Sequence, residues 1–418
     1  MLPLKLLIIT LALARPPDAR CPGPLTRAAV ITCATEQSPR LRADRERVAA
    51  ARGEADAARV ILPANPVVSA TVAHRWNAAG DRDLNVSGTL SQRLEIAGER
   101  RKRMAAASAE VDARARDVEL REREVIADAL YAYYDVLASR EEVLILARGQ
   151  ATAQRLRAVA EARASAGLGA PLSSDLAAAE AARLQEQLAL ARGRARVAEA
   201  ELASALGLNP AGALPEVRGG LEPLPTPTGL TSAVQVASGR PELTRARAQR
   251  RVHEAQLGLL QRERAPTPSV SFFIQTDGFQ ERVIGGGLSF PIPLPYPLGR
   301  TNKGEIAAAR ARVREADEVI AAQARVLSLE ATTAYHAFAA RQEAAAAYTA
   351  QADASARGSL DALSEEIERG RLPVRDALLT QQSLLELLLR SLESRHQLCR
   401  AAVALVLAAG APFPGGAS

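Results

Sequence analysis

The sequence predicts a mainly α-helical fold with four β-strands, in which one unit of long helix, β-hairpin and long helix occurs twice. Three observations support this prediction. Alanine, leucine, glutamate and arginine dominate the 418 residues while aromatic residues make up 3%, which suits long helices packed through small side chains. Apolar residues recur at helical spacing over long proline-free stretches. Landmarks of the first half recur in the second half.

The N-terminus has the layout of a secretory signal, with Lys5, an apolar run and then Ala12-Leu13-Ala14. We expect residues 1–20 to be removed, with an approximate cleavage point. The apolar run is too short to span a bilayer, and no later segment reaches about 18 consecutive apolar residues. The sequence therefore argues against a helical membrane protein and leaves a periplasmic protein, a secreted protein or a β-barrel.

The net charge of +6 is carried by arginines that alternate with glutamates, as in residues 121–124. This alternation indicates a solvated or inter-helix face and argues against nucleic-acid binding. Three cysteines give an odd count without CxxC spacing. Cys399 lies on a seven-residue apolar stripe and is predicted to be a small core residue. Cys21 lacks the small and apolar residues that precede a lipidated cysteine, and any pairing of Cys33 or Cys399 is left open.

In the first half the pattern predicts a helix over residues 24–62 that stops at Pro63, a helix from 98 to about 165, and a returning helix over 172–206. The middle helix would be roughly 100 Å long. The second half predicts helices over 230–264, 304–369 and 374–409. The predicted divisions are a first repeat at 21–210, a connector at 211–229, a second repeat at 230–410 and a tail at 411–418.

The two repeats match at one constant offset of 201 residues. The matched landmarks are Gly98 with Gly299, Tyr134 with Tyr335, Ala138-Ser139-Arg140 with Ala339-Ala340-Arg341, Gly169 with Gly370, and Asp175 with Asp376. Chance similarity between alanine-rich helices does not account for the glycine and aspartate pairs, so the sequence indicates an internal duplication.

Four segments alternate between apolar and polar residues and are predicted strands, at about 65–76, 83–96, 268–276 and 282–291. In the second strand, Leu84, Val86 and Leu90 alternate with polar residues. Its polar side is formed by Asn85, Ser87, Thr89, Ser91 and Arg93. Such strands suit a transmembrane barrel, and an antiparallel sheet packed on helices stays open as an alternative. Four strands cannot close a barrel, so a barrel would require several chains.

The sequence also suggests roles for residues next to the two hairpins. Trp76 and Phe279, beside the polar loop tips at 77–81 and 277–278, would lie at the headgroup level as an aromatic girdle. Glycines 285–287 are expected to keep the barrel interior open. The basic cluster at 100–103 marks either the periplasmic boundary of the barrel or an ordinary exposed helix start.

The sequence shows no chemistry that indicates an enzyme. Four histidines, at positions 74, 253, 336 and 396, are scattered without ligand spacing. No serine or cysteine nucleophile lies in a recognisable elbow, and the glycines at 285–287 lack the Gly-Lys-Ser/Thr of a phosphate loop. We expect no catalytic residue, no metal site and no cofactor.

Several stretches together resemble the TolC-like outer membrane efflux protein family, and within it the CzcC-like branch of resistance-nodulation-division pumps. The matching stretches are residues 90–101, Ala205-Leu206-Gly207-Leu208, Pro291-Ile292-Pro293-Leu294 running on to residues 300–304, and the Gly-x5-Asp motifs at 169–175 and 370–376. The order of these stretches and the duplication carry the resemblance, which covers nearly the whole mature chain.

The resemblance implies a homotrimer in the outer membrane of a Gram-negative bacterium, with twelve strands in a β-barrel and twelve helices in a periplasmic tunnel. It also implies a passive exit duct whose partners are a periplasmic adaptor, an inner-membrane transporter and outer-membrane lipid. The polar residues of the second strand would face the lumen. The alternative from another class is a soluble periplasmic coiled-coil adaptor or scaffold.

The resemblance also implies a gate at the periplasmic tip turns, which contain Gly169 and Gly370 and contact the adaptor. Carried over, Asp175 is the latch residue and Asp376 the constriction-ring residue. The family's basic latch partner falls on Leu372 and its second ring acid on Leu379, so Arg371 or Arg375 is the substitute partner. Three carboxylates around one axis would select cations in a pH-dependent way, whereas ordinary helix capping is the alternative.

Overall fold

The computed structural model describes residues 21, 23–62, 64–76, 80, 82–168, 170–276, 281–292, 294, 302–369 and 371–414. The predicted signal and most of both hairpin loops, including Phe279, lie outside these ranges. The chain forms two compact units. The helical unit comprises Met1–Arg42, Glu122–Ala237 and Ser328–Ser418, and the sheet unit comprises Ala43–Arg121 and Ser238–Leu327.

The helices and strands follow the predicted order. They are α1 Arg27–Gln37, α2 Pro39–Ala58, β1 Val67–Trp76, β2 Arg82–Arg93, α3 Glu99–Ser165, α4 Pro171–Ala205, α5 Leu230–Ala237, α6 Pro241–Arg262, β3 Ser269–Thr276, β4 Arg282–Ser289, α7 Lys303–Ala346, α8 Ala350–Glu368 and α9 Val374–Ala409. The four strands are each shorter than predicted by up to three residues at the end next to a helix, and β2 begins one residue earlier.

Three predicted helices are each divided in two. Ser38 and Arg240 both precede a proline and have extended ψ angles of 120° and 145°, because the proline ring disfavours helical backbone at the preceding residue. The division between α7 and α8 has another cause. The hydroxyl of Thr349 accepts a hydrogen bond from the Ala352 N–H at 3.1 Å and caps the start of α8.

The order of helix, hairpin and helix occurs twice, but the ends of its helices and strands do not all recur after 201 residues. The α3 start follows Gly98 and the α7 start follows Asn302, both of which have positive φ, so this landmark recurs after 204 residues. The helices end at Ser165 and Glu368, a spacing of 203 residues, whereas β2 and β4 begin 200 residues apart. Gly98 and Asn302 thus share a conformation and a place before a long helix, and Gly299 lies outside the described residues.

The helical unit has a core around two tyrosines on α3. Tyr133 and Tyr134 are 2% and 0% exposed, and their rings meet edge to face at 5.4 Å. Their hydroxyls donate hydrogen bonds to the carbonyls of Arg218 and Glu222 in the connector, at 2.9 and 2.8 Å. The same core contains Cys399, which is fully buried as predicted. The connector is thereby packed against α3.

Cys21 and Cys33 form a disulfide, which answers the question that the sequence left open. Both are buried, and next to them Leu25 pairs its backbone with the connector through bonds to Glu216 and Arg218 at 2.8 and 3.1 Å. The disulfide engages the Cys21 thiol, which a lipid anchor would need free. The segment before α1 is therefore held by covalent and backbone bonds.

Candidate functional site: the two-faced sheet and the tip turns

The four strands form one antiparallel sheet in the order β1-β2-β3-β4. Because directly paired residues point to the same face, the register shows which side chains lie together. One row across the sheet joins Ala70, Gly88, Ile274 and Ile284, and the next joins Val68, Leu90 and Phe272 to Gly286. The predicted apolar sets of the four strands thus share one face.

This apolar face is exposed in the single chain. Val68 is 77% exposed, Phe272 is 55% and Ile284 is 63%. Apolar side chains on a sheet normally pack on helices or on a second sheet, and that was the alternative left by the sequence. The exposure of these residues shows that no helix within the described ranges covers the face.

The polar face contains the predicted lumen-facing residues. Ser87 is opposite Thr71, Thr89 is opposite Ser69, and Ser91 is opposite Ser271. Several hydroxyls donate to strand carbonyls, including Ser91 to Val67 at 3.4 Å and Ser271 to Gly287 at 3.3 Å. Asn85 lies on the same face, and Arg93 ends it opposite Ser269. The structure therefore brings all five predicted residues to one face, and their contact with a lumen stays a prediction.

Phe273 is a residue of the polar face that the sequence analysis missed. It pairs with Thr89 on one side and Gly285 on the other. A Cβ on Gly285 would lie 2.7 Å from the Cε1 of Phe273, so the ring occupies the space above this glycine. Gly285 thus makes room for an aromatic ring from the neighbouring strand, and an open barrel interior at residues 285–287 stays a prediction.

Two edges of the sheet are left open within the described residues. β1 pairs with β2 alone and β4 pairs with β3 alone. An unpaired strand edge presents free backbone donors and acceptors, and a flat apolar face next to such edges favours aggregation. The sheet of one chain is therefore incomplete by itself.

The first tip turn connects α3 to α4. Gly167 has φ of +71°, its N–H bonds to Ala164 at 3.1 Å, and the Leu168 N–H bonds to Arg163 at 2.9 Å. These two bonds form a Schellman motif, in which a glycine adopts the left-handed conformation. Gly167 thus ends the helix. The predicted Gly169 lies outside the described residues.

The second tip turn connects α8 to α9. The Arg371 N–H bonds to the Glu366 carbonyl at 3.0 Å, which corresponds to the bond from Leu168 to Arg163 in the first turn. The predicted Gly370 lies outside the described residues. Pro373 is the N-cap of α9 and places Asp376 at the third helical position. In both turns a proline next to the helix start fixes where the returning helix begins.

Both predicted gate aspartates are exposed. No hydrogen bond or ion pair reaches the Asp175 or Asp376 carboxylate from the described part of the chain. Asp175 is the fifth residue of α4, beyond the capping positions. Asp376 is at the third position of α9, but its N-cap, Pro373, has no N–H to donate. The reciprocal capping-box bond is therefore absent at both turns.

The two candidate basic partners differ. Arg371 forms an ion pair with Glu366 at 3.0 Å within its own turn. Arg375 is exposed, and no carboxylate among the described residues pairs with it. The structure of one chain thus joins neither arginine to Asp175, and the latch stays a prediction.

The basic cluster at 100–103 has a structural role that neither sequence interpretation anticipated. The Arg100 guanidinium donates to the Arg59 carbonyl at 2.8 and 3.2 Å. Arg103 donates to the carbonyls of Ala58 and Val60 at 3.2 and 3.0 Å and also pairs with Glu95. Two arginines of α3 therefore satisfy the terminal carbonyls of α2.

Charged side chains also connect the helices of the helical unit. Asp135 on α3 accepts from Arg400 at 2.6 Å and contacts the His396 ring nitrogen at 2.6 Å, both on α9. Burial acts to raise the pKa of Asp135, but the hydrogen bonds to His396 and Arg400 outweigh burial and hold this pKa below its ordinary value. Asp135 is thus held as a carboxylate between α3 and α9.

The described residues lack two further features. No helix in these ranges has the length and apolar character needed to cross a membrane. No cluster of three or more histidine, cysteine, aspartate or glutamate side chains in the same ranges is suited to hold a metal ion.

The chain is similar to known proteins in sequence and in structure. Residues 30–208 match the sequence model of the family described as outer membrane efflux protein. No curated protein sequence matches the chain. The structure of CusC, described for its folding and transmembrane channel formation, has a TM-score of 0.75 at 16% identity and covers 92% of both chains.

Two further solved structures are similar over most of their length. The outer membrane protein VceC of Vibrio cholerae has a TM-score of 0.70 at 19% identity, covering 92% of this chain and 96% of that chain. The open state of the MtrE outer membrane channel of Neisseria gonorrhoeae has a TM-score of 0.73 at 17% identity, covering 92% and 88%. The chain has the fold of these outer membrane proteins.

Proposed function

We propose that this chain, with its outer membrane efflux family match over residues 30–208 and its channel fold, is the passive outer-membrane exit duct of a tripartite efflux system. In this proposal it is a homotrimer in the outer membrane of a Gram-negative bacterium, with a periplasmic extension. A periplasmic adaptor engages the tip turns, and an inner-membrane transporter drives export.

One observation carries the proposal: the sheet exposes its apolar face and keeps its polar residues on the other face. A sheet in lipid must satisfy its backbone within the sheet and present apolar side chains outward. The face formed by Val68, Phe272 and Ile284 meets the second requirement. The open edges of β1 and β4 meet the first only if strands of other chains pair with them, and three copies would supply twelve strands.

The tip turns support a gate. The capping-box bond is closed to Asp376, since Pro373 has no N–H to donate, and no ion pair neutralises its carboxylate among the described residues. Around a threefold axis three such carboxylates would attract cations and repel one another. Asp175 would act as the latch. Arg371 is already paired with Glu366, so Arg375 is the better basic partner.

The partners in this proposal are those that the family resemblance implies. The CzcC-like branch and a resistance-nodulation-division transporter are part of the proposal, and heavy-metal cations are the cargo by analogy with that branch. A duct touches its cargo loosely, so selection occurs in the transporter. Identifying the transporter encoded beside this chain would test the branch.

Membrane fractionation tests the duct itself. We expect the protein in the outer-membrane fraction, running as a heat-sensitive trimer on a gel. Recovery only in the soluble periplasmic fraction, without a trimer, would favour the coiled-coil adaptor or scaffold and contradict the duct.

Conductance of the purified channel in planar bilayers tests the ring. We expect Asp376→Asn to lower the preference for cations and to flatten the dependence of conductance on pH. Glu386→Gln is the matched control, because Glu386 is a 71% exposed acid on the same helix. Unchanged cation selectivity in Asp376→Asn would reject the ring assignment and leave the duct intact.

A further inference from the structure

All four chain connections to helices leave the sheet at the same end. They run from α2 to β1, from β2 to α3, from α6 to β3 and from β4 to α7. Contacts tie this end together: the Leu94 N–H bonds to Pro268 at 2.9 Å, and Gln92 donates to Ala64 at 3.0 Å. We name this region the junction belt.

Apolar residues of the junction belt are exposed although they lie outside the strands. They are Val60, Ile61, Leu62, Ile96, Ile292 and Leu294. Ile61 is 76% exposed, Ile96 is 65% and Ile292 is 81%. Three of the four connections carry such residues, so the apolar surface continues from the strands into the loops. A contiguous exposed apolar surface marks a contact with lipid or with protein.

Basic side chains accompany these apolar residues. Arg101, Lys102 and Arg264 are exposed, and none has a carboxylate partner among the described residues. The side chain of Lys102 lies along Gly258 of α6, where a Cβ would be 3.5 Å from its Cδ and 3.6 Å from its Nζ. Long basic side chains that bury their stems on protein and keep the charged group without a carboxylate partner are suited to membrane interfaces.

Acidic residues of the same region are mostly turned inward or paired. Glu99 is 5% exposed and accepts from the Ala97 N–H at 2.8 Å. Glu95 is held by Arg103 and Asp56 by Arg59. Glu263 is exposed beside Arg264. The three unpaired basic groups outweigh it, so the belt presents net positive charge.

We infer that the junction belt binds anionic phospholipid headgroups of the membrane leaflet that faces the periplasm. The inference rests on the proposed function, which puts the sheet in a membrane. The apolar loop residues enter the edge of the acyl layer, and the basic groups meet the phosphates above it. Apolar and basic residues side by side fit a lipid better than a soluble anion or a protein groove, because a lipid offers both chemistries at fixed spacing.

The test compares two triple variants of the full-length channel purified in detergent. The belt triple removes three basic groups of the junction belt through the substitutions Arg101→Gln, Lys102→Gln and Arg264→Gln. The control triple carries Arg45→Gln, Arg52→Gln and Arg251→Gln. These three arginines are also exposed, and the change in net charge is the same. The measurement is the midpoint of thermal dissociation with added phosphatidylglycerol or phosphatidylcholine.

We expect phosphatidylglycerol to raise the midpoint of the wild type and the control triple more than phosphatidylcholine does. In the belt triple we expect affinity for phosphatidylglycerol to fall about 100-fold, from about fivefold per basic group near an anionic surface. High ionic strength should reduce the difference between the lipids. Inorganic phosphate should not reproduce the effect, because it lacks acyl chains.

Three results would overturn the inference. They are equal stabilisation of the wild type by both lipids, an undiminished response of the belt triple, and full reproduction of the effect by inorganic phosphate. Conductance of the same wild-type preparation in planar bilayers separates the two proposals. A wild type that conducts but shows no lipid preference would reject lipid binding by the junction belt and leave the exit-duct proposal intact. A wild type that neither conducts nor forms a trimer would reject both proposals.

Discussion

Tyr134 of the helical core is fully buried, whereas Ile284 of the sheet is 63% exposed. Both belong to regular apolar patterns in the sequence. The tyrosine is enclosed by helices and by the connector of its own chain, and its hydroxyl has a partner. The isoleucine lies on one face with apolar residues of the three other strands, and no described residue covers it. The difference separates a region in which one chain completes its own core from a region in which it does not.

The largest loss of stability is expected for a substitution in the core of the helical unit. Tyr134→Ala removes a buried aromatic ring from the helical core and should lower the free energy of unfolding by about 3–5 kcal/mol. Tyr134→Phe keeps the ring and leaves the Glu222 carbonyl without its donor, so a loss of about 1–2 kcal/mol is expected. Thermal or denaturant unfolding followed by circular dichroism measures both. Similar losses in the two variants would show that the hydroxyl and not the packing dominates.

The second prediction tests whether the sheet depends on lipid. Ile284→Arg places a charge in the central row of the apolar face, and a lipid-facing arginine near the bilayer centre costs about 2–4 kcal/mol. Val283→Arg is the control, since Val283 is the adjacent residue and lies on the polar face opposite Gln275. We expect Ile284→Arg to reduce the heat-sensitive trimer recovered from outer membranes, and Val283→Arg to leave it nearly unchanged. Equal losses would contradict the assignment of the faces.

The faces of the sheet were predictable because alternation is a local property. Register follows from it, since a slip by one residue would exchange the two faces. The sequence also places apolar residues such as Cys399 in the core. Phe273 was missed because it follows Phe272 and breaks the alternation, and only pairing with Gly285 explains how its ring is accommodated.

Other features depend on contacts that the sequence does not display. Arg100 and Arg103 bond to carbonyls more than 40 positions earlier, so a pattern of local charge could not reveal their role. The helix breaks at Ser38 and Arg240 had a local signal in the following prolines, and the long apolar pattern masked it. Gly167 ends α3, whereas the repeated Gly-x5-Asp motif drew attention to Gly169 two residues later.

The third prediction concerns the link between α3 and α9. Asp135→Asn removes the charge that pairs with Arg400 and should lower the stability at neutral pH by about 1–3 kcal/mol. The pKa of Asp135 is depressed in the folded protein, so its contribution is present above the pKa of the unfolded chain. That contribution is lost as the pH falls through the folded pKa.

Unfolding midpoints of the wild type and Asp135→Asn should therefore differ at neutral pH and converge in acid, below about pH 4. Asp112→Asn is a control for the general effect of removing one α3 carboxylate, since Asp112 has no hydrogen bond to another helix among the described residues. A constant difference between wild type and Asp135→Asn down to pH 2 would show that the carboxylate charge does not stabilise the fold.

The smallest effect is expected at Phe273. Its ring covers Gly285 on the polar face and partly shields the strand backbone, a contribution of about 1 kcal/mol for an aromatic cross-strand pair. Phe273→Ala should therefore lower the thermal dissociation midpoint slightly and leave assembly intact. Phe272→Ala is the matched control one residue away, because it removes the same ring from the apolar face.

If the polar face lines the lumen, the two alanine variants should differ in a second measurement. Phe273→Ala should change single-channel conductance, because it removes a ring from the conducting path, while Phe272→Ala should leave conductance unchanged and weaken insertion. The opposite outcome, with conductance altered by Phe272→Ala alone, would mean that the apolar face lines the lumen. Such a result would reverse the contrast between the enclosed core and the exposed sheet, since the exposed apolar residues would then face water.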